Sequence, residues 1–189
     1  LHSVERLHSP TATAVMRGVT LLGSRMFLLL AMLLAVAMLF LLRRPRTAVF
    51  LGTAVGVADL LRIGLKHVFG RPRPAVIPHL GRVSTFAYPS GHATVTAALA
   101  LAVCVLLWRT RWRTAGAVLA VLFVVAVSFS RVYLGVHNPS DVLAGWLLSS
   151  AWTALLTLVW PWTYERGRCP ATDSGSDAVE NDAADRRKR

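Results

Sequence analysis

Ser130-Arg131-Val132-Tyr133-Leu134-Gly135-Val136-His137-Asn138-Pro139-Ser140-Asp141 is the stretch on which the reading of this chain turns. It lies between two apolar runs, Thr114 to Phe129 and Val142 to Trp160, yet carries an arginine, a histidine and an aspartate. Between Arg6 and Glu165 the only carboxylates are Asp59 and Asp141. A histidine with an aspartate four residues later can form an oriented pair, in which the acid fixes the imidazole tautomer and steadies its charged form. On that reading His137 is a nucleophile, Asp141 its orienter and Arg131 a clamp for an anion. A second reading needs no chemistry. Asn138, Pro139 and Asp141 also fit the cap, first turn and third position of a helix start, where an aspartate bonds backbone N–H groups. On these residues alone both readings stand.

Outward from this stretch the pattern repeats. Apolar runs occupy Met26 to Leu42, Thr47 to Leu65, Ala93 to Trp108, Thr114 to Phe129 and Val142 to Trp160. Each is 16 to 19 residues long, near the short end for crossing a bilayer. Any one of them could be a buried helix of a soluble protein; five in succession, separated by charged turns, argue for a membrane protein. Composition agrees, with 54% hydrophobic residues and mean hydropathy +0.53. The formal charge of +12 is nearly all arginine, and the bases flank apolar runs rather than forming one patch, so membrane topology explains them better than nucleic acid does. Cys104 and Cys169 sit in different settings without a CxxC partner, which points to neither a disulfide framework nor a thiolate metal site.

The expected fold is all-α, an integral membrane bundle of five transmembrane helices plus an N-terminal amphipathic helix. Ser9-Pro10 is a helix start, and Val15, Val19, Leu22 and Met26 fall at helical spacing on what reads as an interfacial helix. The expected organisation is an interfacial segment over residues 1–25, a transmembrane domain over 26–162 and a disordered cytoplasmic tail over 163–189. The first twenty residues lack a charged start followed by an apolar core, so no cleavable signal is expected. By the positive-inside rule Arg43, Arg44 and Arg46 are cytoplasmic, and alternation puts Arg109, Arg111, Arg113 and the basic tail on the same side. Trp108, Trp112, Trp160, Trp162 and Tyr164 then form an aromatic belt at the inner boundary. Lys66 to His92 and Ser130 to Asp141 meet on the outer face.

Three blocks converge there: Lys66 with Arg73-Pro74, spaced K-x6-R-P; Pro89-Ser90-Gly91-His92; and Ser130-Arg131, His137 and Asp141, spaced S-R-x5-H-x3-D. Lys66, Arg73 and Arg131 supply three cations, the arginines as bidentate forks for phosphate oxygens and the lysine as a point charge. Ser90 and Gly91 open a helix, whose N–H groups and dipole favour an anion. His92 can hand a proton to a leaving oxygen, and His137 can attack phosphorus.

The three blocks resemble the signature of the type 2 phosphatidic-acid phosphatase family, which shares its catalytic core with the vanadium haloperoxidases. The resemblance covers roughly Ser9 to Trp160, and all three motifs match in order without a gap. It implies a haloperoxidase-like helical core and metal-free dephosphorylation of a membrane lipid phosphate or diphosphate through a phosphohistidine, with no cofactor. It implies phosphate-binding roles for Lys66, Arg73, Ser90, Gly91 and Arg131. It makes His137 the nucleophile, His92 the acid for the leaving group and Asp141 the partner of His137. Members of this family usually have six spans; the first is expected to lie upstream or to be missing, since the chain starts at Leu1 rather than Met.

Other polar residues have plainer explanations. Asp59 and Arg62 stand three apart inside a span and are expected to form a structural ion pair, since a lone acid there costs about 2.5 to 3.5 kcal/mol. His67 and His79 belong to no block, and Arg71 and Arg82 either widen an anionic funnel or merely solvate the loop. The expected protein is a lipid phosphatase at the outer surface of a bacterial cytoplasmic membrane. A polyprenyl diphosphate is the favoured substrate, with phosphatidic acid or phosphatidylglycerol phosphate next, and activity is expected to survive EDTA because no Asp/Glu/His cluster suits a metal. Two alternatives compete: a non-catalytic protein that binds or moves anionic lipids with the same cations, and a vanadate-dependent haloperoxidase.

Overall fold

The computed structural model describes residues 9–73 and 86–160. Expectations for Pro74, His79, Arg82, Trp162, Tyr164, Cys169 and the tail lie outside the described residues. Among those described the chain is entirely helical: α1 (Pro10–Leu22), α2 (Arg25–Leu41), α3 (Pro45–Phe69), α4 (Gly91–Leu107), α5 (Arg113–Tyr133) and α6 (Pro139–Val159).

The ends of these helices follow from local chemistry. Ser9 caps α1, its Oγ accepting from the Ala12 N–H at 3.1 Å, and Pro10 fills a first-turn position whose N–H needs no partner. Ser24 caps α2 in the same way through Phe27 N–H at 3.3 Å. Pro45 and Pro139 open α3 and α6. Gly70 ends α3 in the left-handed region at φ +52°, where a side chain would be strained, and its N–H returns to Lys66 O at 3.0 Å.

The central helix is α4, which packs against α2, α3, α5 and α6. Its buried face is built from small residues, Ala93, Thr94, Ala97, Ala98 and Ala102 among them, which let neighbouring backbones approach closely. At Gly145 of α6 a Cβ would stand 2.8 Å from Thr94 Oγ1 and 3.0 Å from Thr94 N, so only glycine fits this crossing. Leu28, Met32, Phe50, Leu51, Val55, Val95 and Leu156 complete the core. Leucines and valines such as Leu33, Leu34, Leu119, Leu122 and Leu158 face outward, as lipid contact requires.

Four segments are long and apolar enough to cross a membrane: Pro10–Leu41, Pro45–Phe69, Arg113–Tyr133 and Pro139–Val159; α4 is a shorter apolar helix between them. The N-terminal helix therefore continues into α2 after a break at Gly23-Ser24. Val15 and Leu22 stand exposed, while Ala12 and Met16 pack on Tyr133, Leu134 and Val136. Trp108 and Trp112 are exposed, whereas Trp160 turns inward and meets Phe50 edge-on at 5.5 Å between ring centroids.

Candidate active site

The helices run further than the apolar stretches alone suggest, and the extra turns carry polar residues from each sequence block, while Arg73 and His137 lie in the connecting segments. Lys66 falls in the last turn of α3, Ser130 and Arg131 near the end of α5, and Asp141 in the first turn of α6. Ser90 is the N-cap of α4 and His92 its second residue. Hydrogen bonds then join these ends of the bundle into one cluster. Lys66 Nζ donates to Phe86 O at 2.8 Å, the Ala87 N–H to Arg71 O at 2.8 Å, and the Ser90 N–H to Asp141 O at 3.0 Å.

His137 is the centre of the cluster and is 2% exposed. Its ring stands between a carboxylate and a guanidinium. Nδ1 faces Asp141 Oδ2 at 3.5 Å, longer than a well-formed hydrogen bond, and Nε2 faces Arg73 Nη1 at 3.4 Å. Arg73 is fixed by donating from the same Nη1 to Val136 O at 2.7 Å. Burial, followed by the charges of Arg73 and Arg131, pushes the His137 pKa down to about 4, although Asp141 pulls the other way. The imidazole is thus neutral at ordinary pH, with a lone pair available.

Asp141 takes the helix-start position that its spacing allowed and also stands beside His137. Oδ2 accepts the Asn138 N–H at 2.8 Å, closing the start of α6 as a helix cap, and the same oxygen faces His137. Oδ1 accepts from Arg71 Nη1 at 2.9 Å, and that nitrogen also reaches Ser140 Oγ at 2.8 Å. Arg71 is therefore tied to the site. Sequence left its role open, since the link spans seventy positions and no spacing rule reveals it.

Arg131 is buried and donates from Nη1 to Thr20 Oγ1 of α1 at 2.7 Å, a contact that sequence gave no sign of. Its Nε and the Ser90 Oγ, both buried, have no hydrogen-bond partner among the described residues. Buried donors without partners cost roughly 1 to 3 kcal/mol each. His92 lies within the field of Arg131, His137, Arg73 and Arg62. Among the described residues no group of three His, Cys, Asp or Glu side chains is arranged to hold a metal ion.

The expected ion pair of Asp59 and Arg62 is present and is larger than expected. Arg62 Nε and Nη2 both lie 2.8 Å from Asp59 Oδ1, and Arg25 Nη2 lies 2.8 Å from Oδ2.

Comparison with known proteins gives the same picture. The model of the PAP2 superfamily matches residues 26–166. Decaprenylphosphoryl-5-phosphoribose phosphatase of Mycobacterium tuberculosis is 34% identical over 155 residues, covering 79% of this chain and 81% of that protein. An undecaprenyl-diphosphatase of Sulfolobus acidocaldarius is 45% identical over 73 residues, 39% of this chain; the match spans only 32% of that protein. The crystal structure of the transmembrane PAP2-type phosphatidylglycerolphosphate phosphatase from Bacillus subtilis superimposes with a TM-score of 0.75 at 30% identity, covering 82% of this chain and 80% of that one.

Proposed function

As a member of the PAP2 superfamily the chain is a membrane lipid phosphatase, and we propose that it removes the terminal phosphate of a polyprenyl-linked phosphate or diphosphate through a phosphohistidine at His137. The observation that carries this reading is the placement of one neutral imidazole with Nε2 toward Arg73 and Nδ1 toward Asp141.

The chemistry follows in two steps. The Nε2 lone pair of His137 attacks phosphorus while the bond from phosphorus to the lipid oxygen breaks, and His92 gives a proton to that departing oxygen. Lys66, Arg73, Arg131, the Ser90 hydroxyl and the Gly91 N–H hold the three remaining phosphoryl oxygens as charge shifts among them, the Ser90 N–H being already committed to Asp141 O. The imidazole becomes cationic when phosphorylated, and the Asp141 carboxylate offsets that charge. Water then attacks phosphorus, His92 takes its proton, the P–N bond breaks and inorganic phosphate leaves.

The polyprenyl class is favoured because two relatives similar in sequence to this chain, at 45% identity over 73 residues and 34% over 155, are named for polyprenyl substrates, and because an outward-facing site suits recycling of a lipid carrier. The outward orientation is supported by the arginines of the 43–46 and 109–113 turns, which by the positive-inside rule favour the arginine-bearing end of the bundle as the cytoplasmic one. The test is phosphate release by the purified protein over a panel of polyprenyl diphosphate, polyprenyl-phosphoryl phosphoribose, phosphatidic acid and phosphatidylglycerol phosphate. Highest kcat/KM on a polyprenyl substrate supports the assignment. Preference for a glycerolipid overturns the substrate class but leaves the chemistry, and no release that depends on His137 overturns both.

A further inference from the structure

Asp59 carries more positive charge than it needs. One carboxylate is neutralised by one guanidinium, and Arg25 alone supplies that, reaching it with Nε at 2.9 Å and Nη2 at 2.8 Å from a side chain 42% exposed. Arg62, with only 6% of its side chain exposed, makes a second contact to the same acid and leaves the trio with a net positive charge inside the bundle. Asp59 can neutralise only one of the two guanidiniums; Arg25 is partly exposed and reaches water, whereas Arg62 is buried on Asp59, so the trio's excess positive charge extends into the bundle at Arg62.

The place where that charge sits supplies the reason. The Arg62 guanidinium lies against Gly91: Nη1, Cζ and Nε stand 3.4, 3.5 and 3.5 Å from where a Cβ would be. Gly91 is the first residue of α4, where the helix dipole is positive. Lys66 is one helical turn further along α3, and both it and His92 lie in the field of Arg62. A guanidinium, an ammonium and a helix N-terminus repel each other in low dielectric unless an anion lies among them. The buried Ser90 Oγ at the same turn has no hydrogen-bond partner among the described residues and so is left as a donor for an anion.

We propose that Arg62 is a fourth cation of the phosphate site, a positioning residue beneath the Ser90-Gly91-His92 turn whose charge raises the site's affinity for the substrate phosphate, with Asp59 and Arg25 holding it in place. This rests on the phosphatase reading above and adds a residue outside the three motif blocks.

Arg62→Met is the informative variant, because it leaves Arg25 and Asp59 as a neutral pair. The measurements are KM and kcat for a lipid phosphate, the inhibition constant for inorganic vanadate (a tetrahedral oxyanion) and the melting temperature in detergent. The expected result is a rise of about 10-fold or more in both KM and the vanadate constant, with kcat reduced less and melting little changed. Arg62→Lys keeps the charge and restores most of the vanadate affinity. If Arg62→Met fails to fold, Arg62→Lys against Arg62→Gln decides, with lysine expected to bind vanadate at least several-fold tighter. Equal vanadate constants for wild type and a folded, uncharged variant overturn the proposal, as does a lysine variant no better than glutamine. A wild-type protein that neither releases phosphate nor binds vanadate overturns the phosphatase reading itself, a distinct outcome.

Discussion

Replacing Asp141 by asparagine removes one charge while keeping the shape of the side chain. The amide oxygen can still accept the Asn138 N–H that closes the start of α6, so the fold is retained and the loss falls on chemistry. Phosphoryl transfer leaves the His137 ring cationic with Nδ1–H toward this side chain, 3.5 Å from Oδ2. At an effective dielectric of about 20 a full charge at that distance is worth about 5 kcal/mol, and a half-developed charge about 2.4 kcal/mol. At 1.36 kcal/mol per factor of ten, kcat should fall between about 50-fold and about 3,000-fold. The assay is steady-state phosphate release in mixed micelles, with melting temperature as the control. A folded Asp141→Asn protein within about fivefold of the wild-type kcat refutes the role given to this carboxylate and leaves it a helix cap only.

Other outcomes follow from the same geometry. With the His137 pKa pushed down to about 4, the imidazole is neutral above that value and protonated below it, so kcat/KM should fall as pH drops through about 4. Because Asp141 holds that pKa up, Asp141→Asn should move the acidic limb to still lower pH; a limb near the ordinary histidine value of about 6.5 contradicts this environment. His92→Ala should slow release from a lipid alkyl phosphate by roughly 10² to 10⁴-fold, and much less from p-nitrophenyl phosphate, whose leaving group needs no proton. An equal loss on both substrates removes the general-acid role. Gly145→Ala forces a Cβ to within 2.8 Å of Thr94 Oγ1 and should destabilise the α4–α6 crossing by about 1 to 3 kcal/mol, read as a lower melting temperature.

Much of the fold was legible because lipid imposes long apolar runs, and their spacing revealed the spans without any knowledge of packing. Their ends were less legible. Lys66 and Arg131 fell outside the apolar runs, yet helical hydrogen bonding carries through them, since charged side chains at a span's end can turn into a polar cluster. The facing of α1 has a related physical reason. In a bilayer the apolar side of a helix gains as much from lipid as from protein, so Val15 and Leu22 could turn outward while Ala12 and Met16 packed inward. Residues of the three blocks could be gathered because their types and spacing carry chemical meaning. Arg71 on Asp141, Thr20 on Arg131 and Arg62 on Gly91 could not, for each joins helices or loops far apart in the chain and depends on side-chain reach.

The most direct measurement is chemical trapping of the intermediate. The protein is mixed with a lipid phosphate carrying a radiolabelled terminal phosphoryl group, quenched in alkali within milliseconds, and mapped by mass spectrometry. The predicted result is an alkali-stable, acid-labile phosphoryl group on His137, absent from His137→Ala. Phosphate released at an undiminished rate by His137→Ala, or label found on another residue, contradicts it.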